Sequence, residues 1–267
     1  MTIHQTAIIG NDVKLGKDVE IGPYCIIEGQ VELGDRVKLH SHVVIDGIVK
    51  IGEGTEIFPF VSINKPQDLK FHGEKSEVII GKNNIIREYV TIQPGTEGGI
   101  MKTQVGDECL LMASSHIAHD CIVGDHVVLA NNATLAGHVT VHDYAILGGL
   151  SAVHQFVRIG AHAMIAGLTG VKYDVIPFGT VMGDYGRLCG LNIVGMNRRG
   201  YEKDQIRTLR EAYQMTFNGE GTLVERVDEV DACFGEQAPV KEIIDFIKTA
   251  GKRSICQPKH HESELES

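Results

Sequence analysis

An aliphatic residue recurs every six positions along most of this chain. A period of six fits neither the 3.6-residue turn of an α-helix nor the two-residue alternation of a simple strand. It is typical of hexapeptide β-helices, in which short parallel strands stack into coils. The three frames are Ile9, Leu15, Ile21, Ile27, Leu33, Leu39, Ile45, Ile51, Ile57 and Ile63; then Ile80, Ile86 and Ile92; then Val105, Leu111, Ile117, Val123, Leu129, Leu135, Val141, Leu147, Val153, Ile159, Ile165 and Val171.

A second column of small or apolar residues lies four positions after many of these aliphatic ones. Ile117 is followed in this way by Cys121, and Leu135 by Val139. Glycine often comes directly after the aliphatic residue, which suits a tight corner. The two columns are expected to face inward, so the sequence predicts an all-β parallel β-helix.

The repeat also predicts how the chain is divided. It covers residues 1–190, with loop insertions near 64–78 and 94–104 where the frame breaks. Inserted loops leave a repeat at its surface and often carry function, although some are merely tolerated. Residues 191–255 are expected to form a small C-terminal helical domain, and residues 256–267 a polar tail.

Three features predict helices in the C-terminal part. The spacing Thr222-x-x-Glu225 resembles a capping box that opens a second helix. Pro239 suits the first turn of a third helix, and Gly251 could close it. The first helix is predicted from apolar residues at helical spacing, namely Ile206, Leu209, Tyr213 and Phe217.

Charge and composition exclude several classes of protein. The formal net charge of −10 disfavours a general nucleic-acid surface, because phosphate binding needs local or net positive charge. Six scattered cysteines without a C-x-x-C pair fit reduced thiols better than a disulfide framework. Neither a signal peptide nor an apolar run of about 20 residues is found. The sequence therefore predicts a cytoplasmic protein with no membrane span and no nucleic-acid partner.

Four histidines are expected to meet at one corner of the coils. Residues 18 apart stack on one face at about 4.7–4.9 Å, the normal strand spacing. Counted from the inward positions Ile117, Leu135 and Val153, none of the four falls in an inward column. They are His116, His119, His138 and His154.

Several explanations of this cluster remain open. Histidines are common on surfaces, and the chain has 13 of them. A zinc site would need three ligands of fitting geometry. In hexapeptide carbonic anhydrases two ligand histidines are five residues apart, whereas the residue five after His154 is Ile159. A covalent mechanism would need an activated nucleophile, but Cys121 occupies an inward column.

The third possible mechanism is direct transfer, with neither a metal nor a covalent intermediate. It fits His119 and Asp120 best. An imidazole titrates near neutrality and can remove a proton from a substrate hydroxyl. The neighbouring carboxylate can orient the ring and stabilise its cation. If the reaction is acyl transfer, a backbone N–H must meet the developing oxyanion. Gly137, one coil after His119, could allow such a close approach.

At these residues the chain resembles the bacterial acyl-[acyl-carrier-protein]–UDP-N-acetylglucosamine O-acyltransferases, which make the first intermediate of lipid A. The resemblance covers residues 1 to about 215 with matching spacing. Its motifs are Gln67-Asp68-Leu69-Lys70, His116 to Cys121, Leu129 to His138, Ala152 to Phe156, and Asn192-Ile193 before Arg198-Arg199-Gly200.

The resemblance implies a left-handed β-helix and a homotrimer with active sites between neighbouring subunits. It implies transfer of an (R)-3-hydroxyacyl chain from acyl carrier protein to the 3-hydroxyl of UDP-N-acetylglucosamine. His119 would be the general base, Asp120 its partner and the Gly137 N–H the oxyanion donor. No metal or cofactor is expected. The substrate-binding residues implied are Gln67, Asp68, Lys70, His116, His138, His154, Gln155, Met164, Gly167, Asn192, Arg198 and Arg199.

Within that set, Met164 and Gly167 correspond to the region that measures acyl-chain length, and Gly167 would leave room for a longer chain. Two positions depart from the family. Val194 stands where better-known members carry an acidic residue near the uridine, and Tyr185 stands where they often have histidine. These departures concern the nucleotide contacts and the chain length, not the reaction class.

A basic patch could receive the acidic carrier protein, or it could be an ordinary solvated helical face. Charge complementarity would mainly steer the encounter. The patch consists of Arg198, Arg199, Lys203, Arg207 and Arg210.

Three alternatives stay beside this function. An N-acyltransferase that acts later carries an extra N-terminal uridine-binding domain, and the hexapeptide frame here starts at Ile9. A related enzyme could acylate the 3-amino sugar nucleotide and form an amide. A non-catalytic or zinc-binding β-helix protein is the third. The intact His119-Asp120 and Gln67-Asp68-Leu69-Lys70 argue against an inert protein.

Overall fold

A computed structural model describes residues 1–67, 69, 71–249 and 251–258. The described residues form 28 strands followed by four helices. The first fourteen strands are β1 (Thr2–Ile3), β2 (Ile8–Ile9), β3 (Lys14–Leu15), β4 (Glu20–Ile21), β5 (Ile26–Ile27), β6 (Gln30–Leu33), β7 (Lys38–Leu39), β8 (Val44–Ile45), β9 (Ile48–Ile51), β10 (Glu56–Ile57), β11 (Ser62–Ile63), β12 (Glu77–Ile80), β13 (Ile85–Ile86) and β14 (Thr91–Ile92).

The chain continues with β15 (Lys102–Val105), β16 (Leu110–Leu111), β17 (His116–Ile117), β18 (Ile122–Val123), β19 (Val128–Leu129), β20 (Thr134–Leu135), β21 (Thr140–Val141), β22 (Ile146–Leu147), β23 (Ala152–Val153), β24 (Arg158–Ile159), β25 (Met164–Ile165), β26 (Gly170–Val171), β27 (Gly179–Met182) and β28 (Arg187–Leu191). The helices are α1 (Ile193–Arg198), α2 (Lys203–Asn218), α3 (Leu223–Phe234) and α4 (Ala238–Lys248).

The strands form three largely parallel sheets, because each strand up to β26 pairs with strands three places away in sequence order. At the end of the first sheet, β27 pairs with β25 and β28. Ile117 pairs with Leu135, and Leu135 with Val153, so paired residues in these uninterrupted coils are 18 apart. This register is the direct result of a six-residue repeat with three repeats in a coil. The predicted parallel β-helix is therefore confirmed.

The core lies inside the coils and consists of the two predicted columns. Ile117, Cys121 and Leu135 each have 0% of their surface exposed. Small aliphatic side chains suit this narrow interior, and burying each larger one contributes about 1.5–3 kcal/mol.

Both insertions are present, but each is shorter at its C-terminal end than the sequence predicted. Residues 77–78 belong to β12, and residues 102–104 belong to β15. These two strands are four residues long, whereas most others have two. They begin before the aliphatic frame resumes, so the frame alone places the loop ends too late.

Several turns between strands carry a residue with positive φ that is not glycine. Asp120 has φ 59° and His138 has φ 62°. This left-handed conformation is uncommon for such residues. Here it lies in the turns that carry the chain from one sheet to the next. Because the turns of successive coils stack, their side chains stack too, and the rings of His138 and Phe156 lie parallel with centroids 4.4 Å apart.

The helices follow the predicted pattern in α2 and α3. Thr222 and Glu225 form the predicted capping box, with the Thr222 N–H donating to Glu225 Oε2 at 2.8 Å. The apolar face of α2 is buried, as the spacing predicted. The short α1 and the hairpin of β27 and β28 had no sequence signal.

The predicted end of the last helix was wrong, because α4 ends at Lys248 with Thr249 as its C-terminal cap, not at Gly251. The polar tail at 256–267 stays a prediction. Just before it, Ile255 pairs with Asp174, and its first residue, Cys256, is buried. Residues 259–267 of the predicted tail lie outside the described residues. The division into domains at residue 190 stays a proposal.

The two ends of the β-helix differ. At the N-terminal end, β1, β2 and β3 each pair on one side only, within the described part of the chain. At the other end, β28 pairs antiparallel to β27, and α2 packs against β28. The sheet that starts at β1 therefore ends in a parallel strand on one side and in an antiparallel hairpin on the other.

Candidate active site

A cavity of about 1000 Å³ opens where the two insertions meet the coils. It contains six of the side chains or backbone positions singled out from the sequence: Gln67, His116, His119, Gly137, His138 and Gln155. The remaining lining among the described residues is Pro66, Leu69, Phe71, His72, Glu74, Gln93, Pro94, Thr96, Glu97, Gly98, Ala118, Ala136 and Phe156. Asp68 and Lys70 lie outside the described residues.

Asp120 lies directly behind this cavity, and the second insertion holds it in place. Its side chain has no exposed surface. Oδ2 accepts a hydrogen bond from Thr96 Oγ1 at 2.6 Å, and Oδ1 accepts one from the Ile100 N–H at 2.8 Å. The Thr96 N–H lies 3.1 Å from both oxygens. A buried carboxylate needs donors of this kind to remain charged.

These donors decide the protonation state of Asp120. Burial alone would raise the pKa of the carboxyl, but hydrogen bonds from Thr96, His119 and the Ile100 amide outweigh it. The pKa of Asp120 therefore lies below its ordinary value of 3.8. Near neutral pH the group is a carboxylate that can only accept hydrogen bonds.

His119 is oriented by that carboxylate. Its Nδ1 lies 2.8 Å from Oδ2 of Asp120, and 18% of its side chain is exposed. Because the carboxylate only accepts, Nδ1 carries the proton in the neutral ring, and Nε2 keeps its lone pair. His138 approaches the same oxygen, with its Nδ1 3.9 Å away. The two imidazoles meet edge to face, with centroids 4.9 Å apart.

Gly137 lies against the ring of His119. A Cβ at position 137 would be 2.4 Å from both Cε1 and Nε2 of His119. Any side chain there would displace the imidazole. Among the described residues, no acceptor is bonded to the Gly137 N–H.

His116 is the third of the predicted histidines that line the cavity. Its Nδ1 lies 2.7 Å from Oγ1 of Thr91 in the preceding coil. Burial lowers the pKa of His116 below its ordinary value of 6.5, so the ring is neutral near neutral pH. A neutral imidazole can both donate and accept a hydrogen bond.

His154 lies outside the cavity lining of the described residues. Its Nδ1 is 2.7 Å from Nη2 of Arg253, which the sequence had placed in the helical domain. Asn192 is also elsewhere and caps α1, its Oδ1 accepting from the Gly195 N–H at 2.9 Å.

The predicted arginines and acyl-chain residues also lie apart from the cavity. Arg198 is exposed at the end of α1, whereas Arg199 donates from Nη2 to the carbonyl of Tyr144 at 3.2 Å. Met164 lies in β25, and Gly167 is exposed in the turn that follows.

The basic patch is only partly free of acidic neighbours. Lys203, Arg207 and Arg210 are exposed on α2. Arg207 Nη2 lies 3.2 Å from the carboxylate of Asp204. The patch thus remains cationic overall, but the structure alone assigns it no partner.

The covalent alternative conflicts with the position of Cys121. Its side chain is fully buried in the core, and Sγ contacts the carbonyl of Ala136 at 3.2 Å. Burial raises the pKa of the thiol to about 12. A neutral, inaccessible thiol is a poor nucleophile.

The metal alternative has some geometric basis. One ligand atom each from His119, Asp120 and His138 lies within 4.8 Å of the others. Ligands of tetrahedral zinc lie about 2.0–2.2 Å from the metal, so these groups would have to move closer together. The existing Asp120 hydrogen bonds favour an acid–base pair.

Sequence reasoning missed the residues that hold the site from a distance. Thr96 and Ile100 had no periodic signal, because they belong to an insertion. Gly99 was the one sequence signal for a close approach of this insertion to Asp120. A Cβ at position 99 would lie 2.2 Å from Cγ of Asp120. Lys252 and Arg253 come from the C-terminal segment and were missed for the same reason.

The described part of the chain contains no helix that is both long enough and apolar enough to cross a membrane.

Family models, sequence relatives and solved structures all place this chain in the same family. Residues 174–256 match the family model described as UDP-N-acetylglucosamine O-acyltransferase, domain 2. Residues 12–47 and 102–137 match the model of the bacterial transferase hexapeptide, six repeats.

Two relatives carry the name acyl-[acyl-carrier-protein]–UDP-N-acetylglucosamine O-acyltransferase. The one from Methylobacterium radiotolerans is 58% identical over 204 residues, or 76% of this chain and 75% of the relative. The one from Rickettsia bellii is 51% identical over 255 residues, or 95% and 91%. The structure of LpxA from Acinetobacter baumannii is 42% identical, has a TM-score of 0.93, and covers 96% of this chain and 100% of its own. The chain therefore belongs to the family of acyl-[acyl-carrier-protein]–UDP-N-acetylglucosamine O-acyltransferases.

Proposed function

We propose that this protein transfers an (R)-3-hydroxyacyl chain from acyl carrier protein to the 3-hydroxyl of UDP-N-acetylglucosamine, the first step of lipid A biosynthesis. Family membership supports the reaction and both substrates. The observation that carries the mechanism is the position of the His119 imidazole, held by Asp120 at 2.8 Å and facing Gly137 inside the cavity.

His119 acts as the general base. Nδ1–H donates to Asp120, so Nε2 accepts the proton of the sugar hydroxyl as its oxygen attacks the thioester carbonyl. The imidazolium that forms is stabilised by the buried carboxylate. When the tetrahedral intermediate collapses, the carbon–sulfur bond breaks and the imidazolium protonates the leaving thiolate. Such proton transfer contributes about 10²–10⁴-fold to the rate.

The Gly137 N–H is the donor for the oxyanion of that intermediate. It lies beside the base and has no acceptor among the described residues. A preorganised donor of this kind is worth about 10²–10³-fold in kcat.

The other residues at the cavity bind the acceptor. His116, His138, Gln67 and Gln155 offer both donors and acceptors, as a sugar with several hydroxyls requires. The roles of Asp68 and Lys70 remain part of this proposal from the family resemblance alone. Met164 and Gly167 are proposed to measure the acyl chain on the same basis.

A homotrimer with sites between neighbours is also proposed. Its support is that Asn192 and Arg198, expected at the nucleotide, lie outside the cavity of their own chain. A neighbouring copy could supply them. Mixed trimers of His119→Ala and Arg198→Ala chains would then contain some complete sites, and activity should return on mixing. Failure of mixing to restore activity in confirmed mixed trimers would contradict shared sites.

The decisive experiment measures acyl transfer by His119→Ala. We expect a loss of at least about 10²-fold in kcat with the fold intact. His4→Ala, in the first coil and away from the cavity, is the matched control. Turnover close to wild type in His119→Ala would refute the mechanism.

The acceptor atom is tested in the same assay. UDP-N-acetylglucosamine is compared with its 3-amino analogue, using carrier proteins that bear different chain lengths. Faster transfer to the amine would replace the ester by an amide and favour the 3-amino alternative. A cytoplasmic location also belongs to this proposal, and the six free cysteines support it.

A further inference from the structure

The C-terminal segment is fixed against the β-helix beside the cavity. The Asp174 N–H donates to the carbonyl of Ser254 at 2.9 Å, and the Cys256 N–H donates to the carbonyl of Asp174 at 2.8 Å. Asp174 is buried and its Oδ2 lies 2.6 Å from Nε of Arg158. Residues 252–254 therefore have a defined position despite following the last helix.

Arg253 uses this position to contact the turn that borders the cavity. Its Nε donates to the carbonyl of Gln155 at 2.9 Å, and its Nη2 lies 2.7 Å from Nδ1 of His154. A guanidinium can only donate, so Nδ1 of His154 is the acceptor. The proton of the neutral His154 ring is therefore on Nε2, which becomes a further donor.

Lys252, the residue before Arg253, contacts the same turn at Phe156. Its Nζ is 4.1 Å from the centroid of the Phe156 ring, a cation–π contact. Phe156 lines the cavity and stacks on His138, with centroids 4.4 Å apart. The ammonium is thus connected to the active-site histidines through one aromatic ring.

Lys252, Arg253 and His154 all offer hydrogen-bond donors. Lys252 and Arg253 are cations, and the structure shows no carboxylate within 4.0 Å of either one among the residues it describes. His154 adds an N–H donor at Nε2. An anion with several acceptor oxygens could bind all three groups at once.

We propose that Lys252, Arg253 and His154 form a phosphate-binding subsite at the rim of the cavity. This subsite rests on the proposed function, because both substrates of that reaction carry phosphate. One source is the diphosphate of the nucleotide sugar, and the other is the phosphate of the phosphopantetheine arm on the carrier protein. Charge-assisted hydrogen bonds from a guanidinium suit either.

Equilibrium titration of the full chain tests the subsite without requiring turnover. The variants are Lys252→Met, which keeps the apolar stem over Phe156 but removes the charge, and the double variant with Arg253→Met. The ligands are UDP-N-acetylglucosamine, phosphopantetheine and pantetheine. Lys241→Met is the control, because it removes an exposed lysine of α4 whose Nζ lies 3.8 Å from Asp245.

We expect the double variant to weaken binding of one phosphate ligand roughly tenfold, as the loss of charged hydrogen bonds implies. Weaker binding of UDP-N-acetylglucosamine would identify the nucleotide diphosphate as the group that the subsite binds. Weaker binding of phosphopantetheine, with pantetheine unaffected, would identify the donor phosphate. Binding of both phosphate ligands within twofold of wild type in a folded double variant would overturn the proposal.

A second measurement does not depend on any ligand. The nitrogen chemical shifts of His154 report its tautomer, and we expect the Nε2–H form in the wild-type protein. A proton on Nδ1 would overturn the arrangement with Arg253. If the wild-type protein binds these ligands but transfers no acyl group, the proposed function fails while the subsite stands.

Discussion

The imidazole of His119 occupies the space into which a side chain at Gly137 would project. The separation from a Cβ would be 2.4 Å, less than any real contact between such atoms. The base and the proposed oxyanion donor are thus packed against each other across two successive coils. A change at either position must affect the other.

The first prediction concerns Gly137→Ala. We expect the new methyl group to displace the imidazole and lower kcat by at least about 10²-fold, as loss of a positioned base implies. Gly10→Ala is the control, since a Cβ there meets its neighbours at an ordinary 3.4 Å. Steady-state kinetics would check this, and an active Gly137→Ala enzyme would contradict the proposed geometry.

Thr96 is predicted to act through Asp120. Thr96→Val keeps the shape of the side chain but removes the 2.6 Å hydrogen bond to Oδ2. We expect kcat to fall about tenfold with little change in KM, because the carboxylate is less firmly oriented toward His119. Thr96→Ser restores the hydroxyl and should restore kcat. Equal losses in both variants would mean that the hydroxyl alone does not account for the effect.

Asn192 is predicted to contribute to stability independently of any substrate contact. Its Oδ1 caps α1, and its Nδ2 donates to the carbonyl of His162 at 2.9 Å. Asn192→Ala should lower the free energy of unfolding by about 1 kcal/mol, measured in urea. Asn192→Asp keeps the capping acceptor and should lose less. An unchanged unfolding midpoint in Asn192→Ala would show that the cap is dispensable.

Glu242 is predicted to make stability depend on pH. Burial raises the pKa of this carboxyl from 4.5 to about 7, and nearby Asp143 adds to the shift. The folded protein therefore binds more protons than the unfolded chain between these values, so this contribution lowers stability as pH rises from about 4.5 to 7.

Glu242→Gln removes that pH-dependent term. Thermal unfolding should show the variant above wild type by roughly 2–4 °C at pH 8, with a much smaller difference at pH 5. The exposed Glu220→Gln serves as the control. An equal difference at both pH values would assign the effect to packing instead.

The sequence predicted the coils well because their contacts repeat. Once Ile117 and Cys121 were placed inward, His116 and His119 had to lie outside the core, and the 18-residue register placed Gly137 beside His119. Repetition converts a local pattern into a tertiary prediction. The site residues within the coils were therefore found without any long-range information.

The rest of the site depends on contacts that do not repeat. Thr96 reaches Asp120 from an insertion of irregular length, and Arg253 reaches His154 across 99 positions of sequence. Neither segment has a period from which its path could be read. Arg253 belongs to a stretch predicted to be helical, whereas it follows the end of α4 at Lys248.

The unequal ends of the β-helix also limit how copies could polymerise. In the sheet that starts at β1, one side of a parallel strand is open at the N-terminal end, whereas the hairpin of β27 and β28 closes the opposite end. A head-to-tail filament needs two complementary ends. In this sheet a following copy would meet an antiparallel strand, so the parallel register cannot continue from one molecule into the next. The hairpin thus disfavours fibre growth along this sheet.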